Sequence, residues 1–252
     1  MVWLIGGTKD SRILLEQLVE YHDQFIVSIT TSYGKKLLEN YNVKIIDKRL
    51  SKEEKKVLIE NECITLILDT SHPYAEGISH SAMEIAKECG VEYLRFERKN
   101  LEYEGAKHFE DITSLVDYIN LTCKGEKVLS TLGIKNLEDL QKIKDQENLF
   151  IRLLPVVISI QKAETLGFLA KNIIAIQGPF SKEFNTAIIK NYGIQYLITK
   201  ESGDEGGEME KVLACKEEGV QLLVLKRPFI NYLKTWDSLQ EIVDELKCRL
   251  SL

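Results

Sequence analysis

The sequence predicts an α/β protein: two Rossmann-like domains with mainly parallel sheets and a cleft between them. Three observations predict it. Apolar runs of four to six residues, rich in Ile, Val and Leu, alternate with stretches of helical spacing along nearly the whole chain. The runs are continuous, as in parallel strands buried on both faces. The 252 residues, 44% of them hydrophobic, suffice for two cores of ordinary size.

In the first half, strands are expected at Val2–Ile5, Phe25–Thr30, Lys44–Asp47, Thr65–Asp69 and Glu92–Phe96. Helical patterns fall between them near Arg12–Tyr21, Lys52–Asn61 and Ile78–Cys89. Strand, helix and strand in that order build a parallel sheet with right-handed crossovers. The second half keeps the rhythm, with strands at Lys127–Ser130, Leu149–Leu154, Ile173–Ile176, Tyr196–Thr199 and Leu222–Leu225. Its helices are expected near Ile112–Leu121, Leu137–Ile143, Ser159–Leu166, Ser181–Asn191, Met209–Glu217 and Leu239–Leu250. Between the halves, "ERKNLEYEGAKHFED" has no period of its own. The expected domains are therefore residues 1–100 and 108–252.

Composition excludes several classes. A net charge of −6 argues against nucleic acid, whose phosphates require a basic surface. No apolar run approaches the ~20 residues that cross a bilayer, and no leader-like segment opens the chain. The five cysteines are scattered singly, a pattern of reduced thiols in a cytoplasmic protein. No histidine pair has ligand spacing, so no protein-bound metal is expected.

Gly6 and Gly7 follow the first strand and precede a helical pattern. Bare backbone there lets a phosphate approach the amides and the positive end of the next helix. Thr8, Asp10 and Ser11 are candidate caps. The plain alternative is a tight turn with Gly at positive φ. After the second strand, "ITTSYGKK" offers Thr31, Ser32, Lys35 and Lys36 where NAD-selective folds carry an acid. That set suits the extra phosphate of NADP.

"DTSHPYAEGISH" places Asp69, His72 and Tyr74 just past the fourth strand, on the edge where open α/β sheets bind ligands. Either His72 or Tyr74 is a candidate proton donor. Comparable loops in the second half carry Gly133 and Lys135, then Gly178, Pro179 and Ser181, then Thr199, Lys200, Ser202 and Gly203. Any one of them reads equally as a turn with a cap. The pairs Tyr103…Lys107 and Tyr196…Lys200 do not lie on helices, so they are not a dehydrogenase Tyr-x-x-x-Lys pair. A P-loop lysine and a G-x-S-x-G elbow are both missing.

Taken together, "WLIGGTKDSR", "DTSHPYA" followed by "IS", "YLRFER", "IQGPFSKEFN", "LITKESG" and "LKRP" resemble the precorrin-6A reductase family of cobalamin biosynthesis. The resemblance implies a reductase that takes hydride from NADPH and reduces a macrocycle double bond in precorrin-6A or cobalt-precorrin-6A, giving the dihydro product. Set beside the residue-level reading, Gly6, Gly7, Thr8, Ser11, Thr31, Ser32, Lys35, Gly133 and Lys135 are expected to hold the cofactor, and His72 or Tyr74 to donate the proton. A large, flat tetrapyrrole with many carboxylates needs local cations, and Arg95, Arg98, Lys200 and Arg227, with Ser181 and Ser202, are the candidates. The partner expected is this small-molecule substrate, for a monomer or small homo-oligomer. The alternatives are a two-domain nucleotide-sugar glycosyltransferase and a non-catalytic nucleotide-sensing module.

Overall fold

The computed structural model describes residues 1–30, 32–99, 103–202 and 207–251, and of residues 32 and 33 the backbone alone. It divides into two units, one of Met1–Lys99 with Phe229–Leu252 and one of Asn100–Pro228. Each carries a six-stranded sheet among the described residues.

In the first unit the strands are β1 (Val2–Ile5), β2 (Phe25–Ser28), β3 (Lys44–Ile46), β4 (Leu66–Asp69) and β5 (Glu92–Phe96). The helices are α1 (Lys9–Gln17), α2 (Ser32–Leu38), α3 (Lys52–Asn61) and α4 (Glu76–Cys89). In the second unit β6 (Lys107–Phe109), α5 (Ile112–Thr122), β7 (Val128–Ser130) and α6 (Leu137–Leu140) come first. Then follow β8 (Leu149–Leu153), α7 (Val157–Thr165), β9 (Ile173–Ala175) and α8 (Lys182–Tyr192). The unit closes with β10 (Tyr196–Lys200), α9 (Glu208–Glu218) and β11 (Gln221–Leu225). The chain ends with β12 (Thr235–Trp236) and α10 (Leu239–Leu250).

The sheet orders are β12-β5-β4-β1-β2-β3 and β6-β11-β10-β7-β8-β9, and every pairing is parallel. Read from the other edge, each has the doubly wound order 3-2-1-4-5-6. The sixth strands are exchanged along the chain. β6 follows β5 in sequence but pairs with β11, whereas β12 follows β11 and pairs with β5.

The tail corrects one expectation. Residues 229–252 belong to the first unit, not to a second domain running from 108 to the end. The period of 2 in β1 explains why. Val2 and Leu4 face a cluster with Leu14 and Leu15 of α1 and Ile242, Val243 and Leu246 of α10. Trp3 and Ile5 face the opposite cluster, with Ile59 of α3 and Ala82, Met83 and Ile85 of α4. All three α10 residues are fully buried, and each such side chain contributes about 1.5–3 kcal/mol. Without α10, the apolar side chains that Ile242, Val243 and Leu246 cover on this face would lie bare. No described helix is long and apolar enough to cross a membrane.

Candidate functional site

Strands β2 and β3 lie on one side of β1, and β4 and β5 on the other. The chain therefore reverses direction across the sheet between β1 and β4, and a crevice opens at such a point beyond the carboxyl ends. Two loops meet there. Gly6 follows β1, and a Cβ on it would stand 2.9 Å from Val27 Cγ1, so this glycine is required by packing against β2. Gly7 has φ +94, a conformation that favours glycine, and a Cβ there would meet only Ile29 Cγ2, in ordinary contact at 3.9 Å. Thr8 caps α1 by accepting from the Ser11 amide at 3.2 Å, while its hydroxyl donates to the Thr70 carbonyl at 2.9 Å. Ser11 Oγ donates to the Thr8 carbonyl at 2.7 Å. Both hydroxyls are thus spent on shaping the loop. Among the described residues the Gly7 and Thr8 amides make no hydrogen bond.

The second loop is tied to the same place. Thr70 donates to the Ile5 carbonyl through its amide, at 3.1 Å, and its hydroxyl, at 2.8 Å. Two residues on, His72 is exposed, and its Nδ1 accepts from the Tyr74 amide at 3.2 Å. That bond leaves the proton of a neutral ring on Nε2. The two rings lie 5.8 Å apart. Sequence reading placed the glycine loop and His72–Tyr74 on one sheet edge, and the structure brings them together through Thr8 and Thr70.

Beneath this loop is a buried polar network that sequence reading assigned differently. Asp69 is fully buried and accepts from Ser79 Oγ at 2.6 Å, Tyr93 Oη at 2.8 Å and Arg95 Nη1 at 3.0 Å. Burial alone would raise its carboxyl, but the Arg95 charge and the bonds from Ser79 and Ser71 outweigh it and hold the pKa below the ordinary value. Arg95 is 1% exposed and also binds Glu97 and the Ser71 carbonyl. Its guanidinium is therefore an internal brace for the Ser71–Tyr74 turn, which corrects its expected place on a substrate carboxylate. Arg98, expected in the same role, binds Asp10 through Nε at 2.9 Å and holds that acid against the start of α1.

At the end of β2, Thr31 lies outside the described residues, and Ser32 is described only as the backbone start of α2. Lys35 donates to Asp47 Oδ2 at 2.6 Å, with both side chains half exposed. Such a surface pair is cheap to open. These residues fit a phosphorylated dinucleotide. Gly7 offers backbone without a Cβ, two amides lack internal partners, and a lysine is available from a weak pair.

The second sheet has its own reversal, between β7 and β10. Gly133, with φ +77, and Lys135 follow β7, while Lys200 and Ser202 end β10. Thr131 there repeats the Thr70 device, donating to the Ile198 carbonyl through its amide at 2.9 Å and its hydroxyl at 2.8 Å. Burial, then the nearby Lys135 charge, pushes Lys200 down to about 8. The Ser202 amide donates to Glu208 Oε2 at 2.8 Å, and Arg227 turns inward, its amide donating to Glu201 Oε2 at 3.0 Å. Ser181 is the N-cap of α8, as its sequence context predicts. Among the described residues three buried cations stand outside the sequence-based expectations, Lys55 in α3, Arg152 in β8 and Lys211 in α9. For Arg152 the available signal is a lone basic residue inside the apolar run LFIRL.

The comparisons with known proteins agree with this architecture. Residues 1–247 match the family Precorrin-6x reductase CbiJ/CobK. The chain is similar to the Cobalt-precorrin-6A reductase of Methanocaldococcus jannaschii, 37% identical over 95% of both chains. It is also similar to the Cobalt-precorrin-6A reductase of Priestia megaterium, 34% identical over 98% of both. A solved CobK precorrin-6A reductase aligns with TM-score 0.78 and 18% identity, over 98% of this chain and 96% of that one, a likeness of fold. This match displaces the glycosyltransferase and nucleotide-sensor alternatives. The chain belongs to the precorrin-6x reductase family CbiJ/CobK, the reductases of cobalamin biosynthesis.

Proposed function

We propose that this protein reduces a carbon–carbon double bond of cobalt-precorrin-6A with hydride from NADPH, giving the dihydro product. The observation that carries the reading is the reversal point of the first sheet. There a glycine loop with two open amides is bonded through Thr8 and Thr70 to the loop bearing His72 and Tyr74. Both similar relatives are named for the cobalt-bearing substrate, which favours that form over the metal-free one.

The reduced nicotinamide supplies the hydride when bound. The protein's part is positioning, charge and a proton. The Gly7 and Thr8 amides, with the positive end of α1, hold the diphosphate. Lys35, released from Asp47, binds the 2′-phosphate with the Thr31–Ser32 segment. Adding hydride across a double bond also requires one proton, which His72 delivers from Nε2 while the Tyr74 amide fixes its ring. Tyr74 Oη is the second candidate donor. In the second sheet, Lys135 serves the cofactor, while Lys200 meets a substrate carboxylate.

Binding titrations with NADPH and NADH test the cofactor assignment. Wild type should bind NADPH more tightly, and Lys35→Ala with Lys36→Ala should erase the preference. Equal affinities in the wild type would overturn it. For the proton, His72→Ala should lower turnover by roughly 100- to 10,000-fold, the usual worth of a positioned acid. Full turnover in both His72→Ala and Tyr74→Phe would remove both donors.

A further inference from the structure

Arg152 lies in β8 among apolar neighbours and is 8% exposed. Its Nη1 donates to Asn185 Oδ1 of α8 at 2.9 Å, and its guanidinium carbon sits 4.6 Å from the centre of the Phe180 ring. A guanidinium carries five N–H donors, and among the described residues this one uses a single donor and feels no neighbouring carboxylate. Burying a cation without a counterion is costly. Burial accordingly pushes Arg152 down to about 10.

The surroundings add to the imbalance. The Lys211 charge acts on the same region, and the acids that offset it, Glu208 and Glu210, act on Lys211. Asn185 is itself buried, anchored by donating to the Ser181 carbonyl at 2.9 Å, so the arginine's position is fixed on one side by a neutral amide. Just past β8, Leu154, Val157 and Ile158 are exposed apolar residues.

We propose that Arg152, oriented by Asn185 and Phe180, anchors a carboxylate at the rim of the tetrapyrrole substrate, with Leu154, Val157 and Ile158 offering apolar surface to its ring. This rests on the tetrapyrrole reading above and adds a residue that none of the matched motifs contains. The planar fork of the guanidinium suits a carboxylate, and the anion is the counterion missing among the described residues.

The test is a pair of equilibrium titrations on wild type, Arg152→Gln, Arg152→Lys and Asn185→Asp. One follows cobalt-precorrin-6A by its visible absorbance; the other follows NADPH. Arg152→Gln should raise the tetrapyrrole Kd by roughly 10- to 100-fold, the usual worth of a charge-assisted hydrogen bond. Arg152→Lys should raise it by less, keeping charge but losing the fork. Asn185→Asp should also raise it, because it supplies an internal counterion in nearly the same volume. NADPH affinity should stay at the wild-type value in all three. An unchanged tetrapyrrole Kd in Arg152→Gln and Asn185→Asp would overturn the anchor alone, as would a loss confined to NADPH. Failure of the wild type to bind cobalt-precorrin-6A would overturn the substrate reading, and the anchor with it.

Discussion

Arg95 and Arg152 are strand arginines with almost no exposed surface, one in each sheet, and their partners are of opposite kinds. Arg95 meets two carboxylates, Asp69 at 3.0 Å and Glu97 at 2.9 Å. Arg152 meets a neutral amide and an aromatic face. The first charge is cancelled within the fold, so removing it strands Asp69. The second meets no carboxylate among the described residues, so removing it strands no charge and leaves only the neutral Asn185 Oδ1 without its donor. Burial alone thus does not tell a structural cation from a ligand-binding one; the partner's charge does.

The comparison can be broken at several points. Arg95→Met should have the largest effect, about 3–5 kcal/mol of stability lost, because Asp69 remains charged and buried without its cation. Urea unfolding measures this, and adding Asp69→Asn should recover much of the loss. A Gly6→Ala change tests whether the loop beside this brace is equally rigid. Its Cβ would press on Val27 at 2.9 Å, for a cost of about 1–3 kcal/mol seen in the same experiment.

The open-charge side is probed by pH. Burial, then Arg152, lowers Lys211 from 10.5 to about 8. Between those values the unfolded chain holds a proton that the folded chain has shed, so stability rises with pH across the window. The slope from this group is at most ~1.4 kcal/mol per pH unit. Unfolding at pH 7.5 and 9.5 should show this gain in wild type and a smaller one in Lys211→Met; identical profiles would mean Lys211 keeps its charge. The smallest effect is expected for Arg152→Met without ligand, a change within about 1 kcal/mol, since relief of a buried charge without a carboxylate partner offsets the bond lost at Asn185. A loss as large as that of Arg95→Met would make the two arginines equivalent.

Much of the fold was legible because burial on both faces writes itself as continuous apolar runs. VWLI, LILD and QLLVL became β1, β4 and β11. The edge strands were not legible. β6 is KHF and β12 is TW, too short and too polar to stand out from a loop. α10 was visible as an amphipathic helix, but its apolar stripe fits either sheet, and only packing chooses the first. At the site, Gly6 and Gly7 announced themselves, since glycines between strand and helix have few uses. Arg95 departs from its expected role because a strand residue's sequence neighbours do not disclose what faces it on the adjacent strand, here Asp69. Arg152 lies inside LFIRL, where the apolar run predicts a strand and nothing about what its charge meets.

The exchanged sixth strands set an order of assembly. The second unit is one continuous stretch, Asn100–Pro228, so all of it has left the ribosome while β5 still lacks its neighbour. The half that emerges first is the half completed last. Until Thr235 and Trp236 arrive, a nascent chain carries an open sheet margin and a bare patch where Ile242, Val243 and Leu246 will dock. A stop codon placed anywhere before the last helix therefore releases a molecule whose glycine loop stands on an unfinished foundation.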